Sequence, residues 1–248
     1  GEDDDPDLIE RNATMLRDEG MPMSARYALL VLLGITWRST YYAPNTVRAW
    51  MNRPSAIKRR AKAAHKSVDE AVATDEDIAK KLWTSCYLPY AALNFGLLPL
   101  PYLIFGPWSA FSALCNSLMA EGLTNLHTFC VVGPNHTGDD LYRFEDRPTS
   151  KAEHYVRQII GSVNFKTGND WLDYGHLWLN YQIEHHIWPD IPMLKYRQVQ
   201  PKVEALCQKY DIPYLQEGVF RRVKKMMDVA VGKTSMLWFS RDEAPAPN

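Results

Sequence analysis

The sequence predicts an all-α integral membrane protein: one transmembrane helical hairpin, interfacial helices before it, and a helical cap after it on the cytoplasm-like face. Three observations carry this. Two apolar runs, residues 82–105 and 107–132, follow one another with almost no formal charge, and each is long enough for a hydrocarbon core of roughly 30 Å, which takes about 20 helical residues. Apolar positions at helical spacing return downstream, at Val199, Val203, Leu206 and Tyr210 and again over residues 219–231. Between these regions Gln182, His185 and His186 stand three and four positions apart, so one helix face presents all three while Glu184 points elsewhere.

Taken in order, residues 3–18 are polar, with Leu8, Ile9, Met15 and Leu16 spaced for a short amphipathic helix. Residues 26–37 are apolar but too few to span, so an interfacial or re-entrant segment is expected, with Tyr41, Tyr42 and Trp50 as an aromatic belt. Residues 58–81 are basic at one end and acidic at the other and read as a water-facing helix pair. Pro99, Pro101, Gly106 and Pro107 then punctuate the two apolar runs and predict a tight hairpin. A hairpin returns the chain to its starting side, and the Lys and Arg excess before Trp83 assigns that side as cytoplasm-like. The expected organisation is therefore an N-terminal interfacial and polar segment over residues 1–82, a transmembrane hairpin over 83–132, and a cap over 133–248. Within the cap, Arg221, Arg222, Lys224 and Lys225 beside Phe220, Met226 and Met227 have two possible uses: lying against anionic headgroups, or packing on their own domain.

Composition narrows the function. With a net charge of −1 the chain carries no polyanion-binding signature, so nucleic acid is not an expected partner. The four cysteines form no CxxC pair, and three of them, Cys86, Cys115 and Cys130, lie in the apolar runs; they read as small buried hydrophobes and not as a disulfide framework. The order Glu184-His185-His186 is not the HExxH of a zinc hydrolase, and no GxSxG, Walker or GxGxxG element is present.

Adjacent imidazoles need partners for two donors and two acceptors, which a metal or a solvated polar surface can supply. The flanks decide between these uses. Asn169-Asp170-Trp171, Gly175-His176 and the run Asn180-Tyr181-Gln182-Ile183-Glu184-His185-His186-Ile187-Trp188-Pro189-Asp190-Ile191-Pro192 resemble the third histidine box of integral-membrane fatty acid desaturases. The segments Gln200-Pro201-Lys202-Val203-Glu204 and Ile212-Pro213-Tyr214 resemble the helix and the extended segment after that box, and the order of parts agrees over residues 83–238. The resemblance implies O2-dependent desaturation of an acyl chain at a di-iron centre, with cytochrome b5 or ferredoxin as external electron donor and membrane lipids or acyl chains as partners. It also implies an integral-membrane location, in the endoplasmic reticulum, an organelle inner membrane such as the mitochondrial one, or a bacterial inner membrane. All boxes of the family face one side, which favours the interfacial placement of residues 26–37.

The candidate metal ligands are Gln182, His185 and His186, then His136, His127 and His176. His136 comes after Pro134-Asn135, where the family contributes an additional histidine, sometimes with an asparagine. His127 lies just inside an apolar run and is either functional or hydrogen-bonded to a neighbouring helix. His176, nine residues before His185, can join it only if the helix breaks near Gly175, because about 3.6 residues make a turn. Asp139, Asp140, Asp170 and Asp173 either orient the rings by accepting their other N–H or serve as caps; His65 and His154 are expected at the surface. Seven histidines include no HxxxH or HxxHH upstream of the hairpin, so both earlier boxes of the family are absent. This leaves two expectations. The chain is the C-terminal half of a desaturase completed by boxes on another polypeptide or segment, or it is an inactive accessory subunit of a larger membrane complex.

Overall fold

The computed structural model describes residues 9–12, 14–17 and 20–239. The acidic opening, much of the amphipathic helix expected over 3–18, and the Ala-Pro tail lie outside these residues. The described helices are α1 (Ile9–Asn12), α2 (Met23–Ile35), α3 (Ala43–Asn52), α4 (Pro54–Ala64), α5 (Asp75–Leu82), α6 (Leu88–Ala91), α7 (Pro107–Val131), α8 (Lys151–Ile160), α9 (Asp170–Gly175), α10 (Gln182–Ile187), α11 (Tyr196–Lys209) and α12 (Val219–Ala230). Four two-residue strands, β1 (Tyr142–Arg143), β2 (Asn164–Phe165), β3 (Gln216–Glu217) and β4 (Leu237–Trp238), pair in parallel as β1 with β4 and β2 with β3. The sequence did not announce them, because two residues cannot display an alternating period. The chain divides into two compact units, residues 31–127 and residues 1–30 with 128–248.

In the unit of residues 31–127, α5 opens on a capping box: Thr74 Oγ1 accepts the Asp77 N–H at 3.2 Å, and Asp77 Oδ2 accepts the Thr74 N–H at 3.1 Å. The helix continues through π-type turns at Trp83–Tyr87 and Ala92–Leu97 and a 3-10 stretch at Leu100–Phe105. Pro89, Pro99 and Pro101 each remove a ladder donor in this path, a recognised cause of such local rewinding. Among the described residues this is the one helix long and apolar enough to cross a membrane. The second expected span, α7, has sufficient length at 25 residues, but Asn116, Glu121, Asn125 and His127 dilute its apolar character. Its Glu121 bonds Arg38 and Tyr90, and accepts Asn125 Nδ2 at 2.8 Å, so the formal charge within the run is paired. Gly106, at φ +104°, separates the 3-10 stretch from α7, a conformation that costs glycine no Cβ clash. Around it Ile104, Phe105 and Trp108 are all strongly exposed. The short apolar helix α2 has 13 residues and so measures roughly 20 Å, less than a bilayer core.

The other unit is held by two apolar clusters. Leu141, Val163, Val229 and Met236 form one with Leu215; Ile159, Ile183, Val203 and Cys207 form the other with Ile187, Ile212 and Tyr214. The second cluster takes one side of α10 and fixes it against α8 and α11. Part of the basic face of α12 is used inside the unit. Arg222 is fully buried and donates to Asp140 Oδ1 at 2.6 Å and to the Thr137 carbonyl at 3.2 Å. Lys225 pairs with Asp140 at 2.7 Å and Lys224 with Asp228 at 2.6 Å. Arg222 and Lys225 thus pack on their own domain, while Phe220, Arg221 and Lys224 stay exposed. A Cβ at Gly138 would press on the Arg222 guanidinium and lie 2.7 Å from Asp140 Oδ1, so this close approach requires glycine. All four cysteines are free thiols. The α11 helix starts five residues before Pro201 and runs through it, with buried Tyr196 anchoring its first turn.

Candidate metal centre

The break that precedes the box is built at two residues. After α9 ends at Gly175, Leu177 and Trp178 adopt left-handed backbone conformations at φ 54° and 62°, and the chain restarts as α10 at Gln182. Such positions cost a non-glycine residue of order 1–3 kcal/mol and persist only where the surroundings enforce them. Here the enforcing element is Asp173, which is fully buried. It accepts Asn180 Nδ2 at 2.6 Å, the Tyr181 hydroxyl at 3.2 Å and the Arg197 guanidinium. Asp170 pairs with the same Arg197 at 2.8 Å, and Asp140 with Arg222 and Lys225. Asp140, Asp170 and Asp173 thus hold cations, where the sequence reading expected them to orient the histidine rings or serve as caps.

The side chains of α10 separate by face. Gln182 Nε2 donates to His136 Nε2 at 3.1 Å, and the His136 and His186 rings stand 4.9 Å apart. The His185 and His186 rings are 5.9 Å apart and nearly perpendicular. Glu184 points the other way, into a buried site with Asn164 and Tyr214, each 2.8 Å from one of its oxygens. Burial pushes the Glu184 carboxyl up, against the pull of those two hydrogen bonds.

Each ring of the pair is oriented through its other nitrogen. His186 Nδ1 lies 2.8 Å from Gln158 Oε1, an acceptor, so Nδ1 carries the proton. His185 Nδ1 lies 3.1 Å from the Tyr196 hydroxyl, whose one proton has two acceptors in reach, this ring nitrogen and the Trp188 carbonyl at 3.3 Å. At His186 this contact assigns Nε2 the lone pair, the arrangement typical of a metal-ligating histidine. Burial, reinforced by His136, lowers the pKa of both: His185 falls below its ordinary value and His186 well below. Both are therefore neutral near pH 7, as a ligand must be.

His136 is buried on the turn Gly133–Asn135, and its neighbour Asn135 adds a donor the sequence had named only in passing. Asn135 Nδ2 donates to the Leu179 carbonyl at 2.7 Å and to Gln182 Oε1 at 3.3 Å, which fixes the amide; its Oδ1 is buried without a hydrogen-bond partner. Three imidazoles and an orphaned amide oxygen are the donor kinds that suit iron. Among the described residues, however, no three His, Cys, Asp or Glu side chains form a ready-made cage. The residues fit one side of a metal site. His176 is engaged elsewhere: its ring packs on Phe165 at 5.3 Å and its Nδ1 bonds the Leu172 carbonyl at 2.7 Å. His127 belongs to the other unit, near the end of α7. His65 is exposed and His154 half-buried. Beside His185 a pocket of about 360 Å³ opens, lined by Leu177, Ile191, Pro192, Met193 and Tyr196 among others.

The sequence profile of fatty acid desaturases matches residues 1–218. The NADPH-dependent stearoyl-CoA 9-desaturase of Mycobacterium tuberculosis is 31% identical over 106 residues, which cover 42% of this chain and 25% of that protein. The Delta(8)-fatty-acid desaturase of Euglena gracilis is 35% identical over 125 residues, 50% of this chain and 28% of the relative. For Delta(8)-fatty-acid desaturase 1 of Arabidopsis thaliana the identity is 28% over 140 residues, covering 54% and 30%. The chain thus spans about a quarter of the length of the curated relatives it matches. No solved structure matches it. A profile match over most of the length, together with the histidine-bearing face of α10, leads to one conclusion: the chain belongs to the fatty acid desaturase family.

Proposed function

We propose that this chain supplies the third-box side of a di-iron centre that desaturates an acyl chain, the remaining ligands coming from histidine boxes outside its 248 residues. The observation that supports the reading is the clustering of three rings, His136, His185 and His186, with His185 and His186 each held at Nδ1, by Tyr196 and Gln158. The residues that would hold iron are His185, His186 and His136, with Gln182 and Asn135 beside them; His176 and His127 rank after these. Bound iron supplies the oxidising power for removing hydrogen from an unactivated methylene, which side chains lack.

The chain's own residues do the rest. Gln182 occupies the Nε2 lone pair of His136, so that amide must release the ring before His136 can ligate. The pocket beside His185 offers an apolar wall to a hydrocarbon chain. The long apolar helix ending at Phe105, together with α7, forms the hairpin that seats the protein in its membrane, with electrons delivered by an external cytochrome b5 or ferredoxin.

The test combines iron analysis of the purified protein with fatty-acid profiles of cells lacking the chain. Loss of a double bond is expected in those cells, restored by the wild-type chain and by His154→Ala but not by the double variant His185→Ala/His186→Ala. Full restoration by the double variant would refute a catalytic box and leave the chain an accessory membrane subunit.

A further inference from the structure

The box helix α10 has six residues, too few to hold its own geometry, so its orientation must be imposed from outside. Four segments meet beneath it at a buried polar knot. Asn164 Oδ1 accepts the N–H of Ile183 at 2.9 Å, and its Nδ2 donates to Glu184 Oε2 at 2.8 Å and to the Tyr214 oxygen at 2.6 Å. The Tyr214 hydroxyl closes the triangle by donating to Glu184 Oε1 at 2.8 Å. Asn164 is also tied through its backbone to Leu215 at 3.0 Å, and the preceding Val163 N–H bonds the carbonyl of Asn135, next to His136, at 3.1 Å. One knot therefore joins the turn carrying His136, strand β2, the box helix and the segment after α11.

A carboxyl in this place is a costly choice. Glu184 is fully buried and is held by two neutral groups, whereas an apolar residue would fill the same volume without desolvation. Both its oxygens are taken, and neither faces the histidines. What the carboxylate provides is direction: two directional acceptors engaging donors from two other segments.

We propose that Glu184, Asn164 and Tyr214 are positioning residues that set the rotation of α10, so that metal binding at His185 and His186 depends on a tyrosine 30 residues beyond Glu184. This rests on the reading of those histidines as ligands. The test uses the whole chain purified in detergent, with Co(II) as the probe, titrated by its visible absorption, and thermal unfolding of the metal-free protein followed in parallel. Tyr214→Phe removes one hydroxyl and is expected to weaken Co(II) binding by a factor of about ten, within the range that outer hydrogen-bond partners of metal ligands show, while metal-free unfolding shifts by a few degrees at most. Glu184→Ala should lose at least as much affinity. Glu184→Gln, which keeps the shape and can both accept from Asn164 and donate to Tyr214, should restore most of it. Wild-type affinity in Tyr214→Phe and Glu184→Ala would overturn the proposal and leave the knot a packing feature. Should Glu184→Ala fail to fold, Tyr214→Phe and Glu184→Gln decide the question by the same readout. If Co(II) binds His185→Ala/His186→Ala as well as wild type, the ligand reading itself fails, and that result is separable from the first.

Discussion

At His186 the nitrogen that turns away from the histidine cluster bonds Gln158, and this single contact decides which nitrogen keeps a lone pair. Gln158 lies in α8, 28 residues from His186, and nothing in its own surroundings in the sequence marks it. Replacing it by leucine keeps the volume and removes the acceptor, so Gln158→Leu is expected to reduce metal affinity by about 10–100-fold. A metal titration checks this, and unchanged affinity would remove Gln158 from the site. The same scale shows what was legible beforehand. The sequence put Gln182, His185 and His186 on one helix face by spacing, and the family resemblance of the flanks added His136 beside them. Gln158 and Tyr196 were not, because an orienting partner needs only one suitably placed oxygen and carries no motif.

Among the elements, α12 carries a charge pattern whose partners are out of view in the sequence. Four basic residues beside exposed Phe220 read equally well as a lipid-facing surface, yet Arg222 is buried against Asp140. The Asp140 carboxyl feels burial, which raises its pKa, and hydrogen bonds from Arg222 and Lys225, which outweigh it and hold the carboxyl below its ordinary 3.8. Asp228 is likewise pushed up by burial and held below the same value by Lys224 and Tyr27. Both groups bind a proton less readily folded than unfolded, so their contribution to stability is complete above the unfolded pKa and is lost as pH falls through the depressed one. Stability of this unit should therefore decline below about pH 4, where these carboxylates begin to protonate. Asp140→Asn is expected to cost about 1–2 kcal/mol at neutral pH, less than a fully buried pair because Asp140 keeps some contact with water. It should also make the acid decline shallower without abolishing it, since Asp228 remains. Thermal melts of both proteins between pH 3 and 7 provide the check.

For the whole molecule, the apolar helix ending at Phe105 is the element that ties the family's membrane location to this chain. Leu93, exposed near its middle, is a test position. An arginine at the centre of a spanning helix costs about 2.5–3.5 kcal/mol on insertion scales, so Leu93→Arg should sharply lower the fraction of chain that resists alkaline extraction from membranes. Extraction identical to wild type would mean that this helix does not cross. The sequence by itself determined the helical class and the long apolar helix, because those depend on composition and on the period of the apolar residues. It also carried the family, through a run of residues around His185 and His186. Only the tertiary structure decided which nitrogen of His186 bonds Gln158, why Glu184 faces away from its histidine neighbours, and that Arg222 is buried against Asp140. Each of those outcomes is a contact between distant segments, His136 with Gln182 across 46 residues and Arg222 with Asp140 across 82. A local pattern cannot encode the partner of a buried polar group; the fold supplies it, since a polar atom taken out of water must be satisfied by whatever segment packs against it.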